Sequence, residues 1–178
     1  MKKSNIALIG FMGTGKTVIG KKVAEKLGKK FIEMDDLIVK KAGKSIPRIF
    51  KENGEIYFRE LEIQVCKEVS KLENIVISCG GGVVINKINL DYLNQSSIII
   101  CLNASPEVIY ERIIKEGKQK RPLLDNPDPL KTIIEILEFR NPLYRHATKY
   151  HIDTSYLSID QVVDEVINIY KKAISENT

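Results

Sequence analysis

The chain has 178 residues, 43% of them hydrophobic and 29% charged, with a formal net charge of +5. That composition supports one globular domain with its own core, and no apolar run approaches the ~18 residues of a membrane span. The lysines are scattered, without a basic arm or interleaved aromatics, so small anionic substrates are the expected partners and nucleic acid is not.

Met1 to Asn5 leads straight into the first strand with no secretory pattern, so a cytoplasmic protein is expected. Cys66, Cys79 and Cys101 are odd in number, far apart and lack C-x-x-C spacing, which reads as reduced core thiols. His146 and His151 have no metal-ligand spacing with each other or with a cysteine.

Asn5 to Ile9 is a short apolar run that reads as a buried strand. It leads into Gly10-Phe11-Met12-Gly13-Thr14-Gly15-Lys16-Thr17, which matches the phosphate-binding pattern G-x-x-x-x-G-K-[ST]. Lys16 to Leu27 follows as an amphipathic helix, with Gly28 placed to end it. Strand, glycine loop and helix together are the setting the motif requires. Glycines let backbone N–H groups wrap an anion, and the helix N-terminus points at the same charge. Lys16 would reach the β- and γ-phosphates, and the Thr17 hydroxyl would sit on Mg²⁺.

Phe31 and Ile32 form a second short strand with Glu33, Asp35 and Asp36 at its C-terminal end, where open α/β sheets bind ligands. If the strand continues, Glu33 and Asp35 project to one side; the alternative is that Asp35 or Asp36 caps the next helix, Leu37 to Ala42. A short helix from Ser45 to about Gly54 precedes a long one, Glu55 to Leu72, whose apolar face is read as Ile56, Leu61, Val65, Val69 and Leu72. Arg59 and Glu62 alone are an ordinary i,i+3 surface pair.

Asn74 to Cys79 is a β-branched buried strand that runs into Gly80-Gly81-Gly82, and three glycines there indicate close backbone approach to a ligand. Lys87 to Asn94 is a helix and Ser97 to Leu102 a strand. Ser105-Pro106 opens a helix bearing Val108, Ile109, Ile113 and Ile114. Residues 115–128, basic and proline-containing, read as a lid that brings Arg121 onto phosphates. Asp128-Pro129 starts a helix to about His146, with Ile133, Ile134, Leu137 and Phe139 on its apolar side and an interruption or kink expected at Pro142. Tyr150 to Asp153 is a fifth strand. Ser158 to Gln161 is a capping box for a last helix, Ile159 to Ile174.

The alternation of strands and helices predicts an α/β fold with a parallel sheet and helices on both faces. The loop and Arg121 make a nucleotide site. Facing it are the acids, the glycines and two arginines, Arg59 and Arg140, and arginine is the preferred bidentate partner of a carboxylate. An acid near the γ-phosphate would orient or deprotonate an attacking hydroxyl, which describes a small-molecule kinase.

With these residues in view, the chain resembles the shikimate kinases over nearly its whole length. Phe58-Arg59-Glu60-Leu61-Glu62 resembles the family's F-R-x-x-E, Gly80 to Gly82 its triple glycine, Arg121-Pro122-Leu123-Leu124 its R-P-L-L, and Arg140 to Tyr144 its R-x-P-L-Y. The resemblance implies a single domain over 1–178 with a three-layer αβα P-loop NTPase-type fold, a five-stranded parallel sheet, a mobile lid at about 115–128 and a substrate-binding helical region at about 35–62. It implies transfer of the γ-phosphoryl of ATP to the 3-hydroxyl of shikimate, with another small hydroxy-acid such as gluconate as the alternative acceptor. Asp35, Lys16 and Arg121 are then catalytic. Gly13, Thr14, Gly15, Lys16, Thr17, Val18 and Arg121 bind ATP; Asp35, Arg59, Gly80, Gly81, Gly82 and Arg140 bind shikimate; Thr17 and Glu33 hold Mg²⁺. A monomer is expected.

Two places depart from the family pattern. Glu33-Met34-Asp35 stands where D-x-D is usual, and Thr154 to Ser158 lacks the basic residue and proline often found beside the adenine. Arg112 is read either as stacking on the base or as part of a salt-bridging helix surface.

Overall fold

A computed structural model of the chain describes residues 3–116 and 127–176. Five strands, β1 (Asn5–Ile9), β2 (Lys30–Glu33), β3 (Ile75–Ser78), β4 (Ser97–Asn103) and β5 (His151–Asp153), form one sheet in the order β2-β3-β1-β4-β5. Every pairing is parallel. β1 sits in the middle and is buried along its whole length. A strand covered on both faces needs apolar side chains pointing both ways, which explains its unbroken hydrophobic run.

The two faces carry separate cores. Ile6 and Leu8 of β1, with Ile98, Ile100 and Leu102 of β4, pack under α1 (Lys16–Leu27) and α7 (Ile159–Glu176). Ala7 and Ile9 face the other layer, together with Ile75, Ile77 and Cys101. That layer contains α2 (Met34–Ala42), α3 (Ile46–Val69), α4 (Lys87–Ser96), α5 (Pro106–Glu116) and α6 (Pro129–Ala147). The period of two along β1 thus splits one sequence run between two cores.

The expected caps form. Asp128 accepts from Lys131 N at the start of α6. Ser158 and Gln161 exchange the two capping-box hydrogen bonds, 2.8 and 3.2 Å. α3 breaks at Gly54 (φ 81°, ψ 174°), so its two parts are the two helices expected there.

Other expectations need correction. β2 stops at Glu33 and Met34 already begins α2, so Asp35 lies in the first helical turn rather than on an extended strand. Asp35 and Asp36 lie inside the first turn of that helix, and Glu33 is its N-cap residue, without a side-chain capping bond. Ile56 is 79% exposed and Leu72 and Phe139 are also exposed, so none of them lies on the packed faces assigned to them. The buried residues of α3 beyond the break are Phe58, Leu61, Glu62, Val65, Cys66 and Val69, a helical stripe that includes the expected Leu61, Val65 and Val69. Pro142 does not interrupt α6, which continues to Ala147. All three cysteines are buried free thiols, as expected.

Candidate active site

Strand order decides what meets what. β2, β3 and β1 are neighbours, so the segments that leave their C-terminal ends lie side by side: the acids, the triple glycine and the glycine-rich loop. They enclose a cavity of about 600 Å³ lined by Lys16, Thr17, Val18, Glu33, Asp35, Gly80 and Gly81, among others.

The loop is held in shape from within. Gly10 has φ 138°, and a Cβ there would lie 2.2 Å from the Leu102 carbonyl oxygen, so only glycine fits. The buried Thr14 hydroxyl turns inward and donates to Phe11 O (2.8 Å). Thr14 can therefore contribute to a phosphate site only through its backbone. The Lys16 ammonium donates to Gly10 O (2.9 Å) and Phe11 O (2.8 Å), which places a buried positive charge beside the cavity. Gly13, Gly15 and Val18 complete the loop side.

Thr17 Oγ1 donates to Glu33 Oε2 at 2.7 Å. Burial raises the Glu33 carboxyl above its ordinary value, and the Thr17 hydrogen bond opposes that rise. The extra methylene of glutamate thus spans from the end of β2 to the start of α1. A hydroxyl and a carboxylate are hard oxygen donors that fit Mg²⁺. Among the described residues no group of three or more His, Cys, Asp or Glu could hold a metal ion. An ion here would take its remaining ligands from phosphate and water, as Mg²⁺ commonly does.

The triple glycine gathers the acceptor side. A Cβ on Gly80 would lie 3.2 Å from Asp35 Oδ1 and 3.3 Å from Glu62 Oε1. One on Gly81 would lie 3.4 Å from Met12 N and 3.8 Å from Arg140 NH1, and one on Gly82 only 2.3 Å from Arg59 NH1. The glycines leave room for two guanidinium groups and a carboxylate to converge. Arg59 is fixed by Glu55 Oε1, which accepts from Nε (3.2 Å) and NH2 (2.9 Å), and by Glu62, whose two oxygens accept from NH1 (3.2 and 3.1 Å). Buried Arg140 donates through NH1 to Gly81 O (3.3 Å), while its buried Nε has no hydrogen-bond partner among the described residues.

Glu62 departs from the surface-pair expectation: it is 0% exposed. Burial raises its carboxyl above the ordinary value, against the pull of the Arg59 charge. The signal was available, since a charged residue falls within the apolar stripe Phe58, Leu61, Val65, Cys66, Val69. Tyr144, the last residue of the R-x-P-L-Y segment, has a hydroxyl that donates to Gly81 O, alongside Arg140.

Arg112 is not part of a salt-bridging surface among the described residues; it lines a cavity beside the loop. Its guanidinium donates to Gly13 O (3.2 Å), Thr154 Oγ1 (3.0 Å) and Thr154 O (2.7 Å), with no carboxylate among these acceptors. It therefore ties the phosphate loop to the segment after β5. A second cavity, about 180 Å³, opens beside it between Gly15, Val18, Leu157 and Ile159. Arg121 and most of the segment read as the lid lie outside the described residues.

A protein-family model for shikimate kinase matches residues 12–171. The shikimate kinase of Caldanaerobacter subterraneus subsp. tengcongensis is 50% identical over 168 residues, covering 94% of this chain and 96% of the relative. Among solved structures, the shikimate kinase of Acinetobacter baumannii in complex with shikimate superposes with a TM-score of 0.89 at 32% identity, over 96% of this chain and 94% of the other. A gluconokinase from Sinorhizobium meliloti aligns over 100% of both chains with a TM-score of 0.60, at 16% identity, a likeness of fold alone.

Proposed function

The chain belongs to the shikimate kinase family, and on that premise we propose that it transfers the γ-phosphoryl group of ATP to the 3-hydroxyl of shikimate. The product, shikimate 3-phosphate, lies on the route to chorismate and the aromatic amino acids. The observation that carries the reading is the triple glycine, which brings Asp35, Arg59 and Arg140 together against the phosphate loop.

In this reading Arg59 and Arg140 take the shikimate carboxylate. Arg140 is set against the Gly81 backbone, and Arg59 is held ready by Glu55 and Glu62. The Gly80 and Gly81 backbone lies against the ring. Asp35 accepts the proton of the 3-hydroxyl as its oxygen bonds to the γ-phosphorus and the bond to the departing ADP breaks. Lys16 swings from its loop carbonyls to the β- and γ-phosphates, and the Gly13 to Val18 backbone cradles them. Arg121 is assigned to the same charge on its motif. Such catalysis consists mainly of positioning and charge neutralisation. Thr17 and Glu33 would hold Mg²⁺, which supplies charge neutralisation on the phosphates when bound. We assign the adenine to the cavity beside Arg112, between Val18 and Leu157.

The whole chain acts as one catalytic domain in this reading, with residues 35–62 as the acceptor region and about 115–128 as the lid. Three free thiols support a reducing compartment, and we place the enzyme in the cytoplasm as a monomer. The alternative acceptor, gluconate, has only a fold-level likeness behind it.

The test is ADP release from Mg-ATP with a panel of hydroxy-acids. Release that depends on shikimate is expected. No shikimate-dependent release, or a preference for gluconate, would overturn the reading.

A further inference from the structure

Asn89 lies on α4, outside the set of groups assigned to either substrate, and is fully buried. Its Nδ2 donates to Glu62 Oε2 (3.3 Å) and to Val83 O (3.1 Å), so both amide hydrogens are used. Its Oδ1 is buried without a hydrogen-bond partner among the described residues. The orientation of the amide follows from its neighbours: turned over, its oxygen would face a carboxylate and a carbonyl, two acceptors with nothing to donate. The residue is therefore placed for its two donors.

Those donors tie down two things at once. Glu62 grips NH1 of Arg59 with both carboxylate oxygens. Val83 O belongs to the turn that follows Gly82, and Gly82 is the wall against which the Arg59 guanidinium rests. We propose that Asn89 is a positioning residue for the acceptor site: it locks the Glu62 carboxylate to the turn after the triple glycine and so fixes where Arg59 presents its guanidinium to the substrate carboxylate. Neither anchor alone would do this. α3 carries Glu62 and Arg59, the turn carries Gly82, and α4 joins them through one side chain. Aspartate has the same shape but cannot donate, and serine is too short to reach both acceptors.

The proposal rests on the shikimate reading above, and its test separates the two. Steady-state KM for shikimate, KM for ATP and kcat are measured for the wild type, Asn89→Ser, Asn89→Asp, Glu62→Gln and the double variant Glu62→Gln/Asn89→Ser, with circular dichroism melts. Asn89→Ser is expected to raise the shikimate KM about tenfold, the scale of one hydrogen bond to a charged group, with kcat and the ATP KM changed less than about twofold. Asn89→Asp should raise it at least as much and serves alone if the serine variant does not fold. In the Glu62→Gln background Asn89→Ser should add less than about a twofold change, because the carboxylate it acts through is gone. A folded Asn89→Ser or Asn89→Asp with wild-type shikimate KM overturns the proposal. So does an equal rise in both KM values, or full additivity with Glu62→Gln. A wild type without activity on shikimate overturns the functional reading, and this proposal with it.

Discussion

Gly82→Ala is a sharp test of how the acceptor site is built. Gly82 has φ −96° and ψ 2°, a conformation open to alanine, so the substitution introduces no backbone strain. The new methyl would instead lie 2.3, 2.6 and 2.7 Å from NH1, NH2 and Cζ of Arg59. The guanidinium must retreat by roughly 1 Å to reach ordinary contact distance. It can do so, because its Glu55 partner is 60% exposed on the solvent side, but the melting temperature should fall, since the fully buried Glu62 carboxylate loses contact with its cation. The retreat breaks the grip of Glu62 on NH1 and moves the fork away from the substrate. Two charge-assisted hydrogen bonds to the carboxylate, at about 1.5–3 kcal/mol each, put the loss at about 3 kcal/mol or more. That corresponds to a rise of roughly a hundredfold in shikimate KM. The assay is coupled ADP release at saturating Mg-ATP with shikimate varied, repeated with ATP varied. A folded Gly82→Ala enzyme with shikimate KM within about threefold of wild type, well short of that loss, would refute the placement of Arg59 as a carboxylate ligand against this glycine.

Asp35→Asn is expected to lower kcat by ~10²–10⁴-fold, the range for a positioned acid or base, and normal turnover in that variant would remove Asp35 from the role of base. Arg140→Lys should raise the shikimate KM more than it lowers kcat, because a lysine cannot reproduce the planar fork; a change confined to kcat would contradict the assignment. Burial raises Glu62 above its ordinary 4.5, so the ionised form that anchors Arg59 is lost at a higher pH than for a free carboxylate. The shikimate KM should accordingly climb as pH falls toward 4.5, and this climb should be absent in Glu62→Gln; identical pH profiles would sink the argument. Glu33→Gln should weaken apparent Mg²⁺ affinity about 10–100-fold in a Mg²⁺ titration of activity, and Glu33→Asp, which keeps the charge, should weaken it less.

Much of this was readable along the chain because the phosphate loop and the triple glycine are contiguous motifs attached to strands. Each strand is a buried apolar run, and the alternation with helices allows few topologies. The harder residues are those whose meaning depends on what packs against them. Arg59 and Glu62, three apart on a helix, look alike as a surface pair; only the packing of α3 on α4 and the sheet sends Glu62 inward. Leu61, Val65 and Val69 face inward as expected, whereas Ile56, at the start of the second helical part, is out of phase with them and exposed. In α6 the buried set is Pro129, Ile133, Leu137, Arg140 and Tyr144, and Phe139 stands outside it. In both helices a charged residue sits on the buried stripe, and both lie against the triple glycine of the candidate site. A charge in phase with the apolar period is thus a signal of function that composition and motif matching pass over.

The departure at Glu33 bears on how the two halves of the site are joined. An aspartate at the end of β2 would stop one methylene short, whereas Glu33 reaches Thr17 Oγ1 directly at 2.7 Å. The donor half is thereby tied to β2, the strand that also leads into Asp35. On the other side Gly81 lies between the halves: a Cβ on it would lie 3.4 Å from Met12 N and 3.6 Å from Gly10 O of the loop, and 3.8 Å from Arg140 NH1 of the acceptor side. Phosphate loop and carboxylate site therefore share a wall of bare backbone, with no side chain to flex between them. For a reaction whose catalysis is alignment, that is the economical arrangement, because the register of β3 on β1 sets the triple glycine against the loop. It follows that substitutions at Gly81 should disturb both substrates together, while those at Gly82 disturb shikimate alone.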